Sequence, residues 1–158
     1  GVDLAISQKE NADYFAMVTV GVSYDRKIYV LDAYQGRLTF KQQQEAIIRK
    51  FKEFDPVAVA IETNAYQAAQ VQNLKALEPS IRVVPLHTHK DKVTRARMIS
   101  PYFEDGRVHV KKGMYHLLGQ LLQFPYGRHD DLFDALEFAV SRSVRGVRKV
   151  RASEPGLL

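Results

Sequence analysis

The chain has 158 residues, which suits one domain that buries roughly two-thirds of the surface its unfolded form would expose. Cysteine is absent, which excludes a disulfide scaffold, a thiolate metal site and a cysteine nucleophile, and is compatible with a reducing cytoplasm. No apolar run approaches the roughly 20 residues that span a bilayer, so we expect a soluble cytoplasmic protein without membrane contact.

The net charge of +5 is concentrated in two blocks. Residues 86–112 carry seven cations and three anions, and residues 141–158 carry five cations and one anion, so each block has a net charge of +4. Such clustering favours a polyanionic partner, because each neutralised phosphate releases condensed counterions. A solubilising surface is the alternative that charge alone leaves open.

The first third of the chain predicts three strands and a helix. Val2 to Ser7 alternates apolar with polar or small residues, and residues 14–24 (YFAMVTVGVSY) are rich in β-branched and aromatic side chains. Residues 27–33 form a third strand after a short polar turn, which makes an antiparallel meander. Thr39 is a suitable N-cap for a helix that runs to about Phe54.

Strands and helices alternate in the rest of the chain. The apolar run VAVAI, residues 57–61, is typical of a strand buried on both faces, and residues 81–85 form a fifth strand. Helices are predicted over residues 65–77, 92–103, 115–123 and 131–144, with a short extended piece over 108–110. This order predicts an α/β fold with a mixed five-stranded sheet, antiparallel meander plus parallel strands, flanked by helices.

Two regions follow from this pattern. Residues 1–145 are predicted to form the folded domain. The tail over residues 146–158 is basic and has few apolar anchors, so we expect it to be disordered.

Several carboxylates lie where solvated side chains are not expected. Asp3 lies in an apolar strand, and Glu62 follows VAVAI at the end of the fourth strand. Asp130, Asp131 and Asp134 open a helix whose body is mostly apolar. Such carboxylates are costly unless they are paired or bind a metal, and the sequence shows no matched basic neighbours. Mg²⁺ or Mn²⁺ would resolve this, because two such ions about 3.5 to 4 Å apart can hydrolyse a phosphodiester.

Each acid alone has a simpler explanation. Asp3 could be an edge or turn residue, Glu62 could begin a loop, and Asp130 or Asp131 could cap the helix. The ordered set favours a metal site. Asp134 lies one helical turn after Asp131 and projects from the same face, whereas Asp130 points elsewhere and is a secondary candidate.

The order of these acids resembles that of RNase H-like nucleases, which have an Asp on the first strand of a meander, an acid at the end of the fourth strand and an Asp at the start of a C-terminal helix. Within that superfamily the chain resembles the C-terminal nuclease domain of the large terminase of tailed phages. The resemblance covers Gly1 to about Arg145 and rests on GVDLA, IETNAYQ, DKVTRA with SPYFEDGRV, and HDDLFDALEFA. HDDLFDAL is its most specific part.

The resemblance implies an RNase H-like sheet and a two-metal site for Mg²⁺ or Mn²⁺. Asp3 would bridge the two metals, and Glu62 and Asp131 would complete the catalytic set. Asp134 would be a further ligand or support one. His129 would be an accessory residue that orients a phosphate or a ligand.

The resemblance also implies a biological role. Large terminases cut double-stranded phage DNA concatemers during genome packaging in the host cytoplasm, with a portal protein, a small terminase subunit and an ATPase domain as partners. The chain contains no G-x-x-x-x-G-K-[ST] motif and starts at Gly1 with a strand already under way. We therefore expect a fragment that lacks the ATPase.

Basic residues near the predicted site are candidates for DNA phosphate contacts, with a solvated helix face as the alternative. They are Lys90, Lys92, Arg95, Arg97 and Arg128. His87 and His89 alternate at a strand end, but no third soft ligand lies nearby, so zinc is not favoured.

Two rival functions stay open. A Holliday-junction resolvase, or another RNase H-like enzyme, would keep the chemistry and change the substrate. A catalytically silent DNA-binding or portal-docking module would keep the acids only as structural remnants. Proofreading exonucleases of the same superfamily are disfavoured, because their D-x-E motif is replaced here by Asp3-Leu4-Ala5.

Overall fold

The computed structural model describes residues 1–5, 14–63 and 67–146. Within that part of the chain, six strands form one sheet in the order β5-β4-β1-β2-β3-β6. The strands are β1 (Val2–Asp3), β2 (Phe15–Val22), β3 (Ile28–Gly36), β4 (Val59–Glu62), β5 (Val83–Leu86) and β6 (Val108–His109). The helices are α1 (Phe40–Phe54), α2 (Gln67–Leu77), α3 (Lys92–Glu104), α4 (Tyr115–Gln123) and α5 (Asp131–Gly146).

The sheet is mixed, as the sequence predicts. Strand β2 pairs antiparallel with β1 and β3, which makes the meander, while β4 pairs parallel with β1 and β5. The predicted α/β class is confirmed. The sheet has six strands rather than the predicted five, because the short piece at Val108–His109 pairs in parallel with Ile28 and Tyr29 at the start of β3.

Helix α1 shows how local sequence sets an element. The Thr39 hydroxyl accepts a hydrogen bond of 3.1 Å from the backbone N–H of Gln42, and the Gln42 side chain accepts one of 2.9 Å from the N–H of Thr39. This reciprocal pair satisfies two donors that the first helical turn leaves free. At the other end Asp55 is left-handed, with φ of 44°, and Pro56 prevents further helix. The helix predicted after Thr39 is confirmed.

Two apolar cores lie on opposite faces of the sheet. On one face, α1 and α2 pack on alternate residues of the central strands, including Val2, Met17 and Ile61. On the other face, α3, α4 and α5 pack on the intervening residues, including Ala16 and Val18. Because neighbours along a strand point to opposite faces, Asp3 lies on the α5 face, level with Ala16.

Helix α5 is fully buried along its first ten residues and packs directly on β1. A Cβ atom on Gly1 would lie 1.9 Å from the carbonyl oxygen of Ala135 and 2.7 Å from the backbone nitrogen of Ala139. Only glycine permits this approach. The close packing holds the first turn of α5 above Asp3.

The predicted boundary at residue 145 falls at the end of α5, which includes Gly146. The rest of the predicted tail, residues 147–158, lies outside the described residues. None of the described helices is both long enough and apolar enough to cross a bilayer.

Candidate metal and nucleic-acid site

The first two acids of the site are neighbours across parallel strands. Val2 of β1 is paired with Ile61 of β4, so Asp3 and Glu62 are the next residues along the two strands. Both therefore point to the sheet face that α5 covers. The hydroxyl of Thr88, which follows β5, donates a short hydrogen bond to Glu62 Oε1.

Helix α5 places its two buried acids above this pair. Asp131 and Asp134 are about 5% exposed, in a helix turn that otherwise packs in the apolar core. The backbone N–H of Tyr14 donates to Asp131 Oδ1 at 3.1 Å, and the Gln35 side chain donates to Asp131 Oδ2 at 3.2 Å. Both donors come from the meander, so the sheet fixes the orientation of Asp131.

A second glutamine extends this network to α4. Gln120 donates from Nε2 to Gln35 Oε1 at 3.0 Å and accepts from the backbone N–H of Leu132 at 2.8 Å. Gln120 therefore fixes both the amide that contacts Asp131 and the first turn of α5. Gln35 lies opposite Ala16, whose small side chain separates it from Asp3 across the sheet.

Two cations of α3 contact the acids of α5. The Lys92 ammonium lies 2.7 Å from Asp130 Oδ1 and 2.7 Å from Asp134 Oδ2. The Arg95 guanidinium contacts Asp134 Oδ1 at 2.6 Å and Glu137 Oε2 at 2.7 Å, and all three side chains of this pairing are buried. Ser141 donates to the other oxygen of Glu137 at 2.6 Å.

These contacts correct the inference that the carboxylates lack basic partners. Asp130 and Asp134 are paired with cations in the first turn of α3, a relationship that the linear sequence does not show. Burial would lower the pKa of Lys92, but hydrogen bonds to Asp130 and Asp134 hold the pKa above its ordinary value.

Within residues 1–5, 14–63 and 67–146, no cation forms an ion pair with Asp3. Burial, followed by the charges of Asp134, Glu62 and Asp131, raises the pKa of Asp3 to about 8, and the more distant Lys92 lowers it only in part. Ionised Asp3 is therefore repelled by three neighbouring carboxylates while it is largely shielded from water. Such a cluster needs added positive charge to be fully ionised at neutral pH.

The structure brings Asp3, Glu62, Asp131 and Asp134 to one face of the sheet and places Asp130 beside Lys92. His129 packs edge-on against the Tyr14 ring, with centroids 5.0 Å apart. Of the predicted DNA contacts, Lys90, Lys92, Arg97 and Arg128 are exposed, and Lys92 is paired with Asp130 and Asp134. Arg95 is 8% exposed and pairs with two acids, so we now propose that it positions Asp134 instead of contacting DNA.

Four polar residues that orient the acids were not predicted from the sequence: Tyr14, Gln35, Thr88 and Gln120. Each acts through register or packing between distant segments. One signal for the burial of Arg95 was present, since Arg95 and Ile99 share a helix face and Ile99 is apolar.

The donor set suits a hard divalent cation. Carboxylate oxygens are the ligands that Mg²⁺ and Mn²⁺ prefer, and mutual repulsion around Asp3 would be relieved by a cation. As the side chains stand, no three carboxylate or histidine side chains of the described residues are close enough to hold an ion. The residues fit the metal in donor chemistry, and their side chains would have to move closer together to bind it.

Two structures of RuvC from Thermus thermophilus share the fold. One, titled as a complex with a Holliday junction substrate, has 15% identity, a TM-score of 0.54 and 90% coverage of both chains. The other has 18% identity and a TM-score of 0.56, and the match covers 90% of this chain and 91% of that chain.

No curated protein matches the chain in sequence. The family model described as "Terminase RNaseH-like domain" matches residues 1–142, which includes every carboxylate of the site. That match covers the whole sheet and almost all of α5. The chain therefore belongs to the terminase RNase H-like domain family.

Proposed function

We propose that this domain is a divalent-metal-dependent endodeoxyribonuclease that cuts double-stranded phage DNA concatemers during genome packaging. The observation that carries the proposal is the convergence of Asp3, Glu62, Asp131 and Asp134 from β1, β4 and α5 on one face of the sheet. Family membership supports the packaging role, because terminases are the proteins that cut packaged DNA.

Asp3, Glu62 and Asp131 are the proposed metal ligands and catalytic residues. Bound Mg²⁺ or Mn²⁺ would supply the positive charge that activates water and stabilises the leaving oxygen of a phosphodiester. Tyr14 and Gln35 hold the carboxylate of Asp131 in one orientation, which limits the reorganisation needed when a cation binds.

Whether Asp134 can bind a metal depends on the cations that it contacts. Both of its oxygens contact cations, Oδ1 with Arg95 and Oδ2 with Lys92. It becomes a further metal ligand only if Lys92 moves away from Oδ2. Asp130, which shares Lys92 with Asp134, is a secondary candidate for the same reason.

The exposed cations around the site are the proposed DNA contacts. Lys90 precedes α3, which carries Lys92; Arg97 lies on α3; and Arg128 precedes α5, which carries Asp131. They would bind backbone phosphates without reading sequence. By family membership, the further partners are the portal protein, the small terminase subunit and the ATPase domain of the full-length protein, and the place of action is the host cytoplasm.

Plasmid nicking tests the proposal. The purified chain is expected to convert supercoiled plasmid to nicked and linear forms with Mn²⁺ or Mg²⁺ and to be inactive in EDTA. Asp3→Asn should abolish conversion, while Asp105→Asn, which changes an exposed acid after α3, should leave it intact. Equal activity of Asp3→Asn and the parent would refute the metal site.

Cleavage of other DNA substrates separates the rival functions. Faster cleavage of a four-way junction than of linear duplex would favour a resolvase. DNA binding with no cleavage in either metal would favour a silent DNA-binding module. Mn²⁺ should support the reaction at least as well as Mg²⁺, because its hydration and geometry are less strict.

A further inference from the structure

Three side chains, those of Arg37, Tyr14 and His129, form a stack beside Asp131. The Arg37 guanidinium lies over the Tyr14 ring, with its central carbon 4.9 Å from the ring centroid. The other contact of that ring is edge-on with His129, at 5.0 Å and an interplanar angle of 86°. His129 lies two residues before Asp131, so the stack joins the end of the meander to the start of α5.

Strand register places this stack on the same face as the acids. At the end of the β2–β3 ladder, Phe15 pairs with Gly36, and the next pair inward is Ala16 with Gln35. Tyr14 and Arg37 lie just beyond the Phe15–Gly36 pair. Each is two residues from Ala16 or Gln35 along its own segment, so all four share a face of the sheet. Gln35 donates to Asp131, and Arg37 lies two residues further along the chain.

The charge of Arg37 is not neutralised by the acids beside it. No carboxylate of the described residues forms an ion pair with Arg37, which is exposed. Lys92 and Arg95, by contrast, are both engaged by acids of α5. Arg37 is therefore a cation held beside a carboxylate cluster and left open to an anionic ligand.

The aromatic contacts explain how the guanidinium is held. A cation over an exposed aromatic ring is stabilised by roughly 0.5 to 1 kcal/mol. Stacking on Tyr14 already restricts the Arg37 side chain, so Arg37 loses less conformational entropy when it binds an anion. The N–H groups at the edge of its guanidinium stay free to donate hydrogen bonds. Its planar fork matches two phosphate oxygens, which a lysine ammonium does not.

We propose that Arg37, held by Tyr14 and His129, binds a backbone phosphate of the DNA strand that enters the carboxylate site. The proposal rests on the proposed nuclease function and adds to it a contact outside the basic blocks at residues 86–112 and 141–158. Arg37 is a binding residue that holds the strand beside Asp131. Lys90, Arg97 and Arg128 would hold other phosphates.

The test is binding of a fluorescein-labelled linear duplex to the full 158-residue chain in EDTA, where no cutting occurs. Arg37→Ala should weaken binding about three- to tenfold and reduce the slope of log affinity against log salt by about 0.9, the value for one lost phosphate contact. Arg37→Lys should keep most of the slope, because the charge remains, yet bind more weakly than the parent, because the fork is lost.

Arg49→Ala is the matched control, since Arg49 is an exposed arginine of α1 on the opposite face of the sheet. It should change neither affinity nor slope. Equal affinity and slope for Arg37→Ala and the parent would overturn the Arg37 contact and leave the nuclease proposal standing. A parent chain that neither binds duplex nor nicks plasmid would overturn both. Matching thermal unfolding of the variants and the parent excludes misfolding as the cause of weaker binding.

Discussion

Asp3 and Glu62 lie side by side on parallel strands, directly after the paired residues Val2 and Ile61. Burial raises the pKa of Asp3 most, and the charges of Asp134, Glu62 and Asp131 raise it further. Ionised Asp3 is therefore stabilised by added positive charge. The effect on folding stability can be measured without a nuclease assay.

The first prediction concerns stability and pH. The usual pKa of 3.8 for Asp3 is raised to about 8 in the folded chain, so ionisation of Asp3 opposes folding. In EDTA, stability should fall as pH rises from about 4 and level off above about 8. Asp3→Asn lacks this ionisation and should be roughly 1 to 3 kcal/mol more stable at pH 8, because water in the pocket screens part of the full effect.

Thermal unfolding in EDTA over that pH range measures the difference. Asp105→Asn is the control, because Asp105 is exposed and outside the pocket. If the stability of Asp3→Asn and of the parent changed in parallel with pH, the pKa of Asp3 would not be raised in the folded chain. Added Mn²⁺ should stabilise the parent more than Asp3→Asn, since a cation relieves the same repulsion.

The second prediction concerns Arg95. Arg95→Ala leaves Asp134 and Glu137 buried without their shared cation, which typically costs about 3 to 5 kcal/mol. Arg97→Ala removes an exposed arginine of the same helix and should change stability by no more than about 0.5 kcal/mol. Urea unfolding compares the two variants. Similar midpoints would mean that the buried ion pairs do not form in solution.

Local signals made much of the fold predictable. The Thr39 cap fixed the start of α1, and the apolar run before Glu62 identified a central strand. HDDLFDAL indicated a helix start with acids on its buried face, which is where Asp131 lies. Each of these inferences depends on residues within a few positions of one another.

Other roles depend on how distant segments meet. Gln35 contacts Asp131 only because the β2–β3 register places it opposite Ala16. Arg95 stood in a basic run that resembled a DNA-binding surface, and its burial follows from α3 packing against α5. The pairing of Val108–His109 with β3, which gives the sheet its sixth strand, is likewise a long-range contact that two residues cannot signal.

The third prediction concerns the proposed DNA contacts. Replacing Lys90, Arg97 and Arg128 together with alanine should weaken binding to unrelated duplexes about equally and reduce the salt slope by roughly 2 to 3, since each lost phosphate contact contributes about 0.9. A matched triple change of Lys41, Arg49 and Lys52 removes exposed cations of α1 on the opposite face. If both triple variants lower the slope equally, DNA is held by overall charge and not by this surface.

The last prediction separates Asp130 from Asp131. Asp131 is buried and receives hydrogen bonds from Tyr14 and Gln35, whereas Asp130 is partly exposed and contacts Lys92. Asp131→Asn should lower plasmid nicking more than about a hundredfold and weaken Mn²⁺ binding measured by calorimetry. Its stability should be unchanged or higher, because lost repulsion with Asp3 offsets the weakened bond from Gln35. Asp130→Asn should keep measurable activity, since Asn caps a helix nearly as well as Asp. An inactive Asp130→Asn beside an active Asp131→Asn, both at saturating Mn²⁺, would mean that the first turn of α5 presents the other acid to the site.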